Sequence, residues 1–540
     1  MLPRVLPKGC KMGAEAWARI AGATAAGDAG FRARLGQIEA TQRCLLRRLV
    51  EANPATVFGG DHNFANVASA ESFRDLVPIC GYEALSPYID RVVAGEENVL
   101  TAEPVRFIEQ TGGSSGGAKY IPYTDTGLQA YTDCLYPWMS ELIRRRPGVA
   151  QGHSYFALSP VGRGASERVG ARRLGSPVPF AYFGALRDSL IQVSAVPMDL
   201  RLLSDFAEWQ RQTCLHLLAA EDLSLIWVWS PTYLTEILRA MQRDAESLLP
   251  ELADRLGAVR PPDVVRRRIA ALEGALGSSQ LSAIWPRLDT ISCWTDASSS
   301  GFAAALQAQF PHVFIQSKGL MSTEAAVSFP YGDGSGCILA SQSGFFEFVD
   351  ESGANLFAWQ LEAGLTYRLI VTTGSGLYRY DTQDMVEVTG FTGDTPRLRF
   401  SGRTGMVSDL CGEKLTEAFV VRSLAEAGLD HRTYSLLVAV ATPHPHYRLF
   451  VETGRGRAVE VLGGGLDHAL KANPQYEYAR RIGQLGPLRT TGVDDLYGRL
   501  KRHRMKGGTG IAGMKAPVLL TRSDAALLAA LGADKEDTLG

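Results

Sequence analysis

The sequence predicts an α/β protein: a large N-terminal domain of β-sheets flanked by helices, followed by a smaller α+β domain. Three observations predict it. The chain has 540 residues, more than one hydrophobic core holds, because single cores stop growing near ~250–300 residues. From about residue 105, short apolar strands ending in glycine-rich loops alternate with helical stretches, the pattern of an α/β layer structure. A strand-rich run then ends at Phe400 and is followed by Ser-Gly-Arg-Thr-Gly, small residues suited to a hinge.

The elements follow in order. Leu35, Ile38, Leu45, Leu46 and Leu49 recur at helical spacing, and Asn53-Pro54 stops that run because the residue before proline disfavours the helical basin. A second helix is expected around 130–143. Between 366 and 400 the stretches TYRLIVTT, GLYRY, MVEVTGF and RLRF carry β-branched and aromatic residues separated by polar turns, so they read as strands. The segment following Val313 to Ile315, itself a candidate strand, leads into a polar turn. Beyond the hinge, LLVAVAT and YRLFVET flank a loop holding Pro443 and Pro445 and read as a hairpin. Helical residues and the glycine-rich KGGTGIAGMK complete a small domain. The domains are expected at 1–402 and 403–540.

Composition narrows the function classes. Lys plus Arg number 55 and Asp plus Glu 57, a net charge of −2, so no global excess holds nucleic acid or an anionic membrane. Hydrophobic residues at 46% and charged residues at 21% are the proportions of a globular chain. The eight cysteines are scattered without C-x-x-C pairs, which signals neither zinc nor a disulfide framework. Reduced thiols and a cytoplasmic location are expected. Short basic runs at 144–146, 266–268 and 501–504 read as solvated helix faces. Oligomeric state is not legible.

The richest motif is Thr111-Gly-Gly-Ser-Ser-Gly-Gly-Ala-Lys119, fed by an apolar segment from Val105. Glycine lets backbone N–H groups converge on an anion without a Cβ clash, the hydroxyls of Thr111, Ser114 and Ser115 add donors, and Lys119 supplies a point charge. A phosphate cradle built on Gly112, Gly113, Gly116 and Gly117 is the natural reading. It is no Walker A loop, because Ala118 separates Gly117 from Lys119 and Tyr120 follows. Gly112-Gly-Ser114-Ser-Gly116 also matches the nucleophile-elbow string, but that turn requires a helix next, and Pro122 favours extended chain.

Two later motifs add to the loop. Ser322-Thr323-Glu324 offers hydroxyls beside one carboxylate; magnesium takes one or two carboxylates plus phosphate and water oxygens. Alternatively Thr323 caps a helix. In Thr372-Thr-Gly-Ser-Gly-Leu-Tyr-Arg-Tyr-Asp-Thr-Gln-Asp384, either Asp381 or Asp384 can accept hydrogen bonds from both ribose hydroxyls, or end a turn. Trp227, Trp229 and Tyr233 in IWVWSPTYL read as core that can also edge an acyl pocket.

Together the loop, WPRLDTISCWTDA from Trp285, the Ser-Thr-Glu element and TTGSGLYRYDTQDMVEVTGF resemble the Gretchen Hagen-type acyl acid amido synthetases of the adenylate-forming superfamily. The resemblance covers most of residues 35 to 420. It implies an ATP- and acyl-acid-binding N-terminal domain and a mobile C-terminal one, with ATP and Mg as the cofactors. Thr111, Ser114, Ser115, Gly116 and Lys119 would face the ATP phosphates, Thr323 the adenylate, Glu324 magnesium, and Asp384 the ribose. Arg403 resembles the hinge arginine. Lys414 in GEKLTE resembles the lysine of the family's D-K-T-x-E element, with Glu413 in place of the aspartate. Lys515 in GMKAP resembles the late lysine that swings over the adenylate, and Lys506 competes for that role.

The implied reaction is adenylation of a carboxylic acid and transfer of the acyl group to an amine, an amino acid above all, with release of pyrophosphate and AMP. Two alternatives share these residues: an acyl-CoA ligase with a thiol acceptor, and a non-catalytic nucleotide-binding homologue. Small-molecule acid and amine are the expected partners, with no nucleic acid and no membrane.

Overall fold

The computed structural model describes residues 10–112, 118–157, 167–176, 178, 180–404, 407–429, 433–441, 444–452, 459–505 and 516–533. Ser114, Ser115, Gly116, Lys506 and Lys515 therefore lie outside the described residues. The chain forms two compact units, one of residues 1–229, 234–293 and 309–400, the other of 230–233, 294–308 and 401–540.

In the first unit, helices α1 (Cys10–Arg32) and α2 (Ile38–Glu51) open the chain. The periodic apolar positions of α2 point inward: Ile38, Leu45, Leu46 and Leu49 are buried, and the helix stops where Asn53 precedes Pro54. Helix α3 (Tyr82–Val93) leads to the antiparallel hairpin β1 (Phe107–Gly112) and β2 (Ala118–Tyr123), which brackets the glycine loop with Thr111 opposite Lys119. The chain leaves that loop as a strand, as Pro122 suggested, so the nucleophile-elbow alternative is gone. Helix α4 (Asp125–Arg145) follows, its first turn capped by Thr124 Oγ1 accepting from Gly127 N at 3.0 Å, an arrangement worth about 1 kcal/mol.

Two sheets carry the core. β3 (His153–Phe156), β4 (Leu223–Trp227), β5 (Thr290–Cys293) and β6 (Phe314–Ser317) pair in parallel in that order. Every residue of β4 and β5 is buried, which is why LSLIW reads as an unbroken apolar run instead of alternating. The second sheet has seven strands in the order β10-β9-β11-β12-β13-β8-β7, from β7 (Ser328–Phe329), β8 (Cys337–Leu339), β9 (Phe345–Val349), β10 (Asn355–Phe357), β11 (Thr366–Thr372), β12 (Tyr380–Thr392) and β13 (Thr395–Arg403). Of the expected strand GLYRY, only Tyr380 is in a strand. Arg379 sits at φ +45°, outside the strand basin.

In the second unit, α5 (Glu417–Glu426), α6 (Val459–Leu470) and α7 (Pro474–Arg481) accompany the sheet β16-β15-β14-β17, built from β14 (Ser435–Val440), β15 (His446–Glu452), β16 (Arg489–Val493) and β17 (Leu519–Leu520). β14 and β15 form the hairpin expected around the prolines.

Of the basic runs expected as solvated faces, 501–504 departs at the buried Lys501 and 266–268 at Arg268. This side chain is buried and donates to Leu218 O at 2.8 Å and Ile284 O at 2.9 Å. Leu218 lies in the last turn of a helix, whose terminal carbonyls need external donors. Cys44, Cys80, Cys134, Cys214, Cys293, Cys337 and Cys411 are free thiols. Among the described residues no helix is long and apolar enough to cross a membrane.

Candidate active site

The site grows from the β1–β2 hairpin. Residues directly opposite in an antiparallel pair share a face, and so do residues two apart along a strand. Phe107 with Tyr123, Glu109 with Ile121, and Thr111 with Lys119 therefore occupy one face of the hairpin. Phe107 and Tyr123 stack there with ring centroids 5.0 Å apart. Lys119 Nζ lies 5.5 Å from the centre of the Tyr82 ring at the start of α3, and Tyr82 Oη accepts from Tyr120 N at 2.8 Å. The lysine is held at the mouth of the glycine loop.

Tyr123 also reaches the Ser-Thr-Glu turn. Its Oη donates to Thr323 O at 2.5 Å, and Tyr131 Oη of α4 donates to Ser322 O at 2.7 Å. The two hydroxyls lie 3.0 Å apart. Burial pushes both phenols well above their ordinary pKa, and the nearby Glu324 carboxylate adds to the effect at Tyr131. They remain neutral donors. The turn itself is pinched by a backbone bridge between Met321 and Ala326, with Ser322 N donating to Ala325 O at 3.0 Å. No helix follows it, so the alternative that Thr323 caps a helix fails. Thr323 and Glu324 are half-buried at its tip.

The third motif meets the same hub. Thr124 Oγ1 donates to Gly374 O at 2.9 Å, and a Cβ on Gly127 would fall 1.9 Å from Ser375 Oγ, so α4 starts in direct contact with the 373–376 loop. From there the chain enters β12, which bulges against β11: Ile370 faces Asp381 and Arg368 faces Met385, leaving Thr382, Gln383 and Asp384 opposite Leu369 alone. Gln383 takes φ +62°, Thr382 Oγ1 donates to Leu369 O at 2.9 Å, and Asp384 N donates to Thr382 Oγ1 at 3.1 Å. Bulges of this kind re-aim a side chain. Asp381 is committed elsewhere, with Oδ2 accepting from Arg368 Nη1 and Oδ1 from Gln383 N, both at 2.9 Å. Asp384 is buried in the bulge.

In the second unit, Arg403 ends β13 and Lys414 is exposed at φ +48°. Its neighbour Glu413, the residue replacing the family's aspartate, is fully buried. Glu413 accepts from Leu410 N and Cys411 N at 2.7 Å each and from Tyr447 Oη at 2.5 Å. This carboxylate builds the turn that carries Lys414.

Family models match the chain in three stretches: the GH3 family N-terminal domain over residues 30–315, the central domain over 337–403 and the C-terminal domain over 414–524. The chain belongs to the GH3 family. Its relatives include a probable indole-3-acetic acid-amido synthetase, GH3.12 of Oryza sativa subsp. japonica, 25% identical with 92% of this chain and 93% of that protein covered. Another is the indole-3-acetic acid-amido synthetase GH3.10 of Arabidopsis thaliana, 25% identical over 84% and 86% of the two chains. Among solved structures, the GH3.15 acyl acid amido synthetase matches with a TM-score of 0.79 at 17% identity, covering 93% of this chain and 94% of that one. A 2-hydroxyisobutyryl-CoA ligase matches at 0.50 with 11% identity and 90% and 89% coverage. These likenesses show the adenylate-forming α/β fold expected from the sequence.

The donor set of this GH3 protein fits a triphosphate with a divalent ion. Among the described residues Lys119 offers positive charge and Thr111, opposite it, a hydroxyl donor. Glu324 offers a single hard oxygen ligand. Among the described residues no group of three or more His, Cys, Asp or Glu side chains could hold a metal alone, so an ion here would share Glu324 with phosphate oxygens, as magnesium does.

One residue escaped the sequence reading. Lys318, the first residue after β6, is fully buried, its Nζ 3.9 Å from the Trp227 ring centre, 4.8 Å from Trp229 and 4.9 Å from Trp138. No hydrogen-bond partner reaches that nitrogen among the described residues. A desolvated indole face returns about 2 kcal/mol to an ammonium, against several kcal/mol for removing the ion from water. Desolvation wins, and burial pushes Lys318 well below the usual lysine range.

Proposed function

We propose that this chain is an ATP-dependent acyl acid amido synthetase, which adenylates a carboxylic acid and passes the acyl group to the amine of an amino acid. The observation that carries the reading is the pair of phenol contacts from Tyr123 and Tyr131 to the Ser322–Thr323 carbonyls. They tie the backbone of the turn that carries Glu324 to the hairpin strand that carries Lys119 and to α4. Family membership and the amido synthetase names of its relatives support the amine acceptor.

The chemistry follows from the poor electrophilicity of a carboxylate, which cannot expel oxide. A carboxylate oxygen attacks the α-phosphorus of ATP, pyrophosphate leaves, and the acid becomes a mixed anhydride with AMP. Lys119, with Thr111, Ser114, Ser115 and Gly116, neutralises and orients the phosphates. Thr323 positions the adenylate and Asp384 holds the ribose hydroxyls. Glu324 would hold magnesium, which supplies Lewis-acid charge neutralisation when bound. A neutral amine then attacks the acyl carbonyl, the bond to AMP breaks, and the amine loses its proton. Residues 1–402 bind ATP and acid. Residues 403–540 form the mobile domain, with Arg403 at the hinge and Lys414 and Lys515 as its lysines for the reaction. The free thiols fit a reducing, cytoplasmic setting.

The test is ATP–pyrophosphate exchange over a panel of carboxylic acids, then amine-dependent AMP release with the best acid. Amide formation is expected. Exchange followed by transfer only to CoA thiol would overturn the amide assignment, and a wild type inert over the whole panel would overturn the enzyme. Lys119→Ala is expected to lower kcat/KM for ATP about 100-fold: a unit charge pair at ~4 Å and an effective dielectric of ~20 is worth roughly 4 kcal/mol, discounted because Lys119 is half-exposed. Tyr123→Phe, which removes the donor to Thr323 O, should cost about 1 kcal/mol of stability and about tenfold in exchange rate, since small misplacements at a reacting centre are expensive. An unchanged exchange rate would show that the turn is held without Tyr123.

A further inference from the structure

We infer that Lys318 reads the distal end of the acyl acid, selecting acids that carry a hydrogen-bond-accepting or anionic group opposite the reacting carboxylate. The inference rests on the reading above and deepens it by naming the acid's second functional group.

The geometry begins with the parallel sheet. Trp227 ends β4, Cys293 ends β5, and Lys318 follows β6, its backbone N donating to Cys293 O at 3.1 Å. Nζ thus lies at the carboxyl ends of the parallel strands, where open α/β sheets place their ligands. The other buried cations of the unit each have hydrogen-bond partners, though Arg268 Nε is left without one. Arg268 donates to two carbonyls, Arg397 to those of Tyr331, Ser335, Gly334 and Gly336, and Arg379 to Glu347 and Asn355. Lys318 alone among these four has no partner. A buried polar group left unsatisfied calls for an explanation, and a group that arrives with a ligand is one.

The surroundings say which end of the ligand that is. Tyr131 and Trp138 are seven residues apart on α4, hence on one face about 10 Å apart along the axis. Tyr131 touches the Ser322–Thr323 carbonyls, and Trp138 touches the Lys318 amine. The turn assigned to the adenylate and the buried nitrogen are therefore separated by roughly two helical turns, the span of an aromatic ring with a short side chain. The reacting carboxylate sits at the first. The second is left for the far end of the acid. Aromatic rings continue from the amine toward the surface: Trp227 packs on Phe183 at 6.0 Å, Phe183 on Phe180 at 5.8 Å, and Phe180, Phe183 and Trp229 are only half-buried.

The titratable neighbour facing Nζ is Cys293, whose own pKa burial pushes up to about 12, a neutral thiol. The indoles of Trp138, Trp227 and Trp229 do not titrate. Burial disfavours the charge on this amine, and a ligand carbonyl or carboxylate would give its N–H groups the acceptor they lack.

The experiment uses three acids on the full chain: 3-phenylpropionate, 3-(4-acetylphenyl)propionate and 3-(4-carboxyphenyl)propionate. The acetyl and carboxyl arms distinguish a neutral acceptor from an anion. Exchange with the wild type is expected to favour at least one acceptor-bearing acid by tenfold or more in kcat/KM. Lys318→Met should abolish that preference while holding 3-phenylpropionate within about threefold. A preference that survives in Lys318→Met, or a wild type that favours 3-phenylpropionate, overturns the inference. Quenching of tryptophan fluorescence in the wild type measures the same preference as binding, so the result does not depend on the variant folding or on turnover. Tenfold tighter binding of an acceptor acid supports the inference, and equal or weaker binding overturns it. Preference in binding without any exchange would leave Lys318 standing and remove the synthetase reading; exchange without preference would do the reverse.

Discussion

Glu324→Gln is expected to lower ATP–pyrophosphate exchange by two to three orders of magnitude while the protein stays folded. The substitution keeps the shape of the side chain and removes its charge. Glu324 is half-buried at the tip of a turn whose backbone is fixed by Tyr123, Tyr131 and the Met321–Ala326 bridge, so none of those contacts depends on the carboxylate. Stability should therefore change by less than about 0.5 kcal/mol. Function should not escape so lightly. Among the described residues no cluster of three metal-ligating side chains exists to take over, and a divalent ion polarising a phosphoryl oxygen is worth several kcal/mol. At 1.36 kcal/mol per tenfold, a loss of about 3–4 kcal/mol is 100- to 1,000-fold. The measurement is the exchange rate as a function of magnesium concentration. A higher magnesium requirement with partial recovery at excess metal is the expected signature. A rate within threefold of wild type at ordinary magnesium would remove Glu324 from the metal role.

The contrast between Asp381 and Asp384 marks how far the sequence could be read. The string around them announced a carboxylate between strands with two candidates three residues apart, and only the family resemblance selected Asp384. What separates them is a bulge: Gln383 at φ +62° and three residues of β12 facing one of β11. That register is set by the pairing of two strands, which no local periodicity records. The same limit hid Lys318. Its burial comes from Trp138, Trp227 and Trp229 on separate elements, brought together only by the fold. Arg268 shows it too, a charge in a basic run that turns inward because terminal carbonyls of a distant helix need a donor.

Where information is local, the sequence sufficed. The apolar segment from Val105 and Pro122 indicated extended chain on both sides of the glycine loop and excluded a following helix. Apolar spacing and Asn53-Pro54 gave α2 and its end, except that Leu35, expected in the run, lies in the turn before it. Glu413 sits between these cases. The sequence showed it as a departure from a family element, and the structure gives it a reason, a buried carboxylate serving two backbone N–H groups and Tyr447. The longer side chain still builds the turn, so the departure does not disqualify Lys414.

Arg379→Met is expected to be the most destabilising single change, at about 3–5 kcal/mol. Arg379 and Glu347 form a two-pronged ion pair at 2.8 and 2.9 Å, with side chains only 4% and 1% exposed. The guanidinium also donates to Arg74 O, Val77 O and Asn355 Oδ1, tying the end of a short helix and two strands to the start of β12. Burial pushes the Glu347 carboxyl above its ordinary range even with the arginine against it. Desolvation therefore outweighs the attraction, and the pair is held for geometry more than for net stability. Removing one member leaves an uncompensated buried charge, the case that costs about 3–5 kcal/mol, whereas replacing both by apolar residues of similar volume is often close to neutral. Thermal unfolding followed by circular dichroism should show a clear fall in Tm for Arg379→Met and recovery of most of it in Arg379→Met/Glu347→Leu. Activity should separate from stability in the double variant. Without the guanidinium, Arg74 O and Val77 O no longer hold the left-handed turn that feeds the Asp384 bulge, so exchange should stay at least tenfold down while Tm recovers. If both recover together, the ion pair serves packing alone, and the 374–384 segment finds its conformation without it.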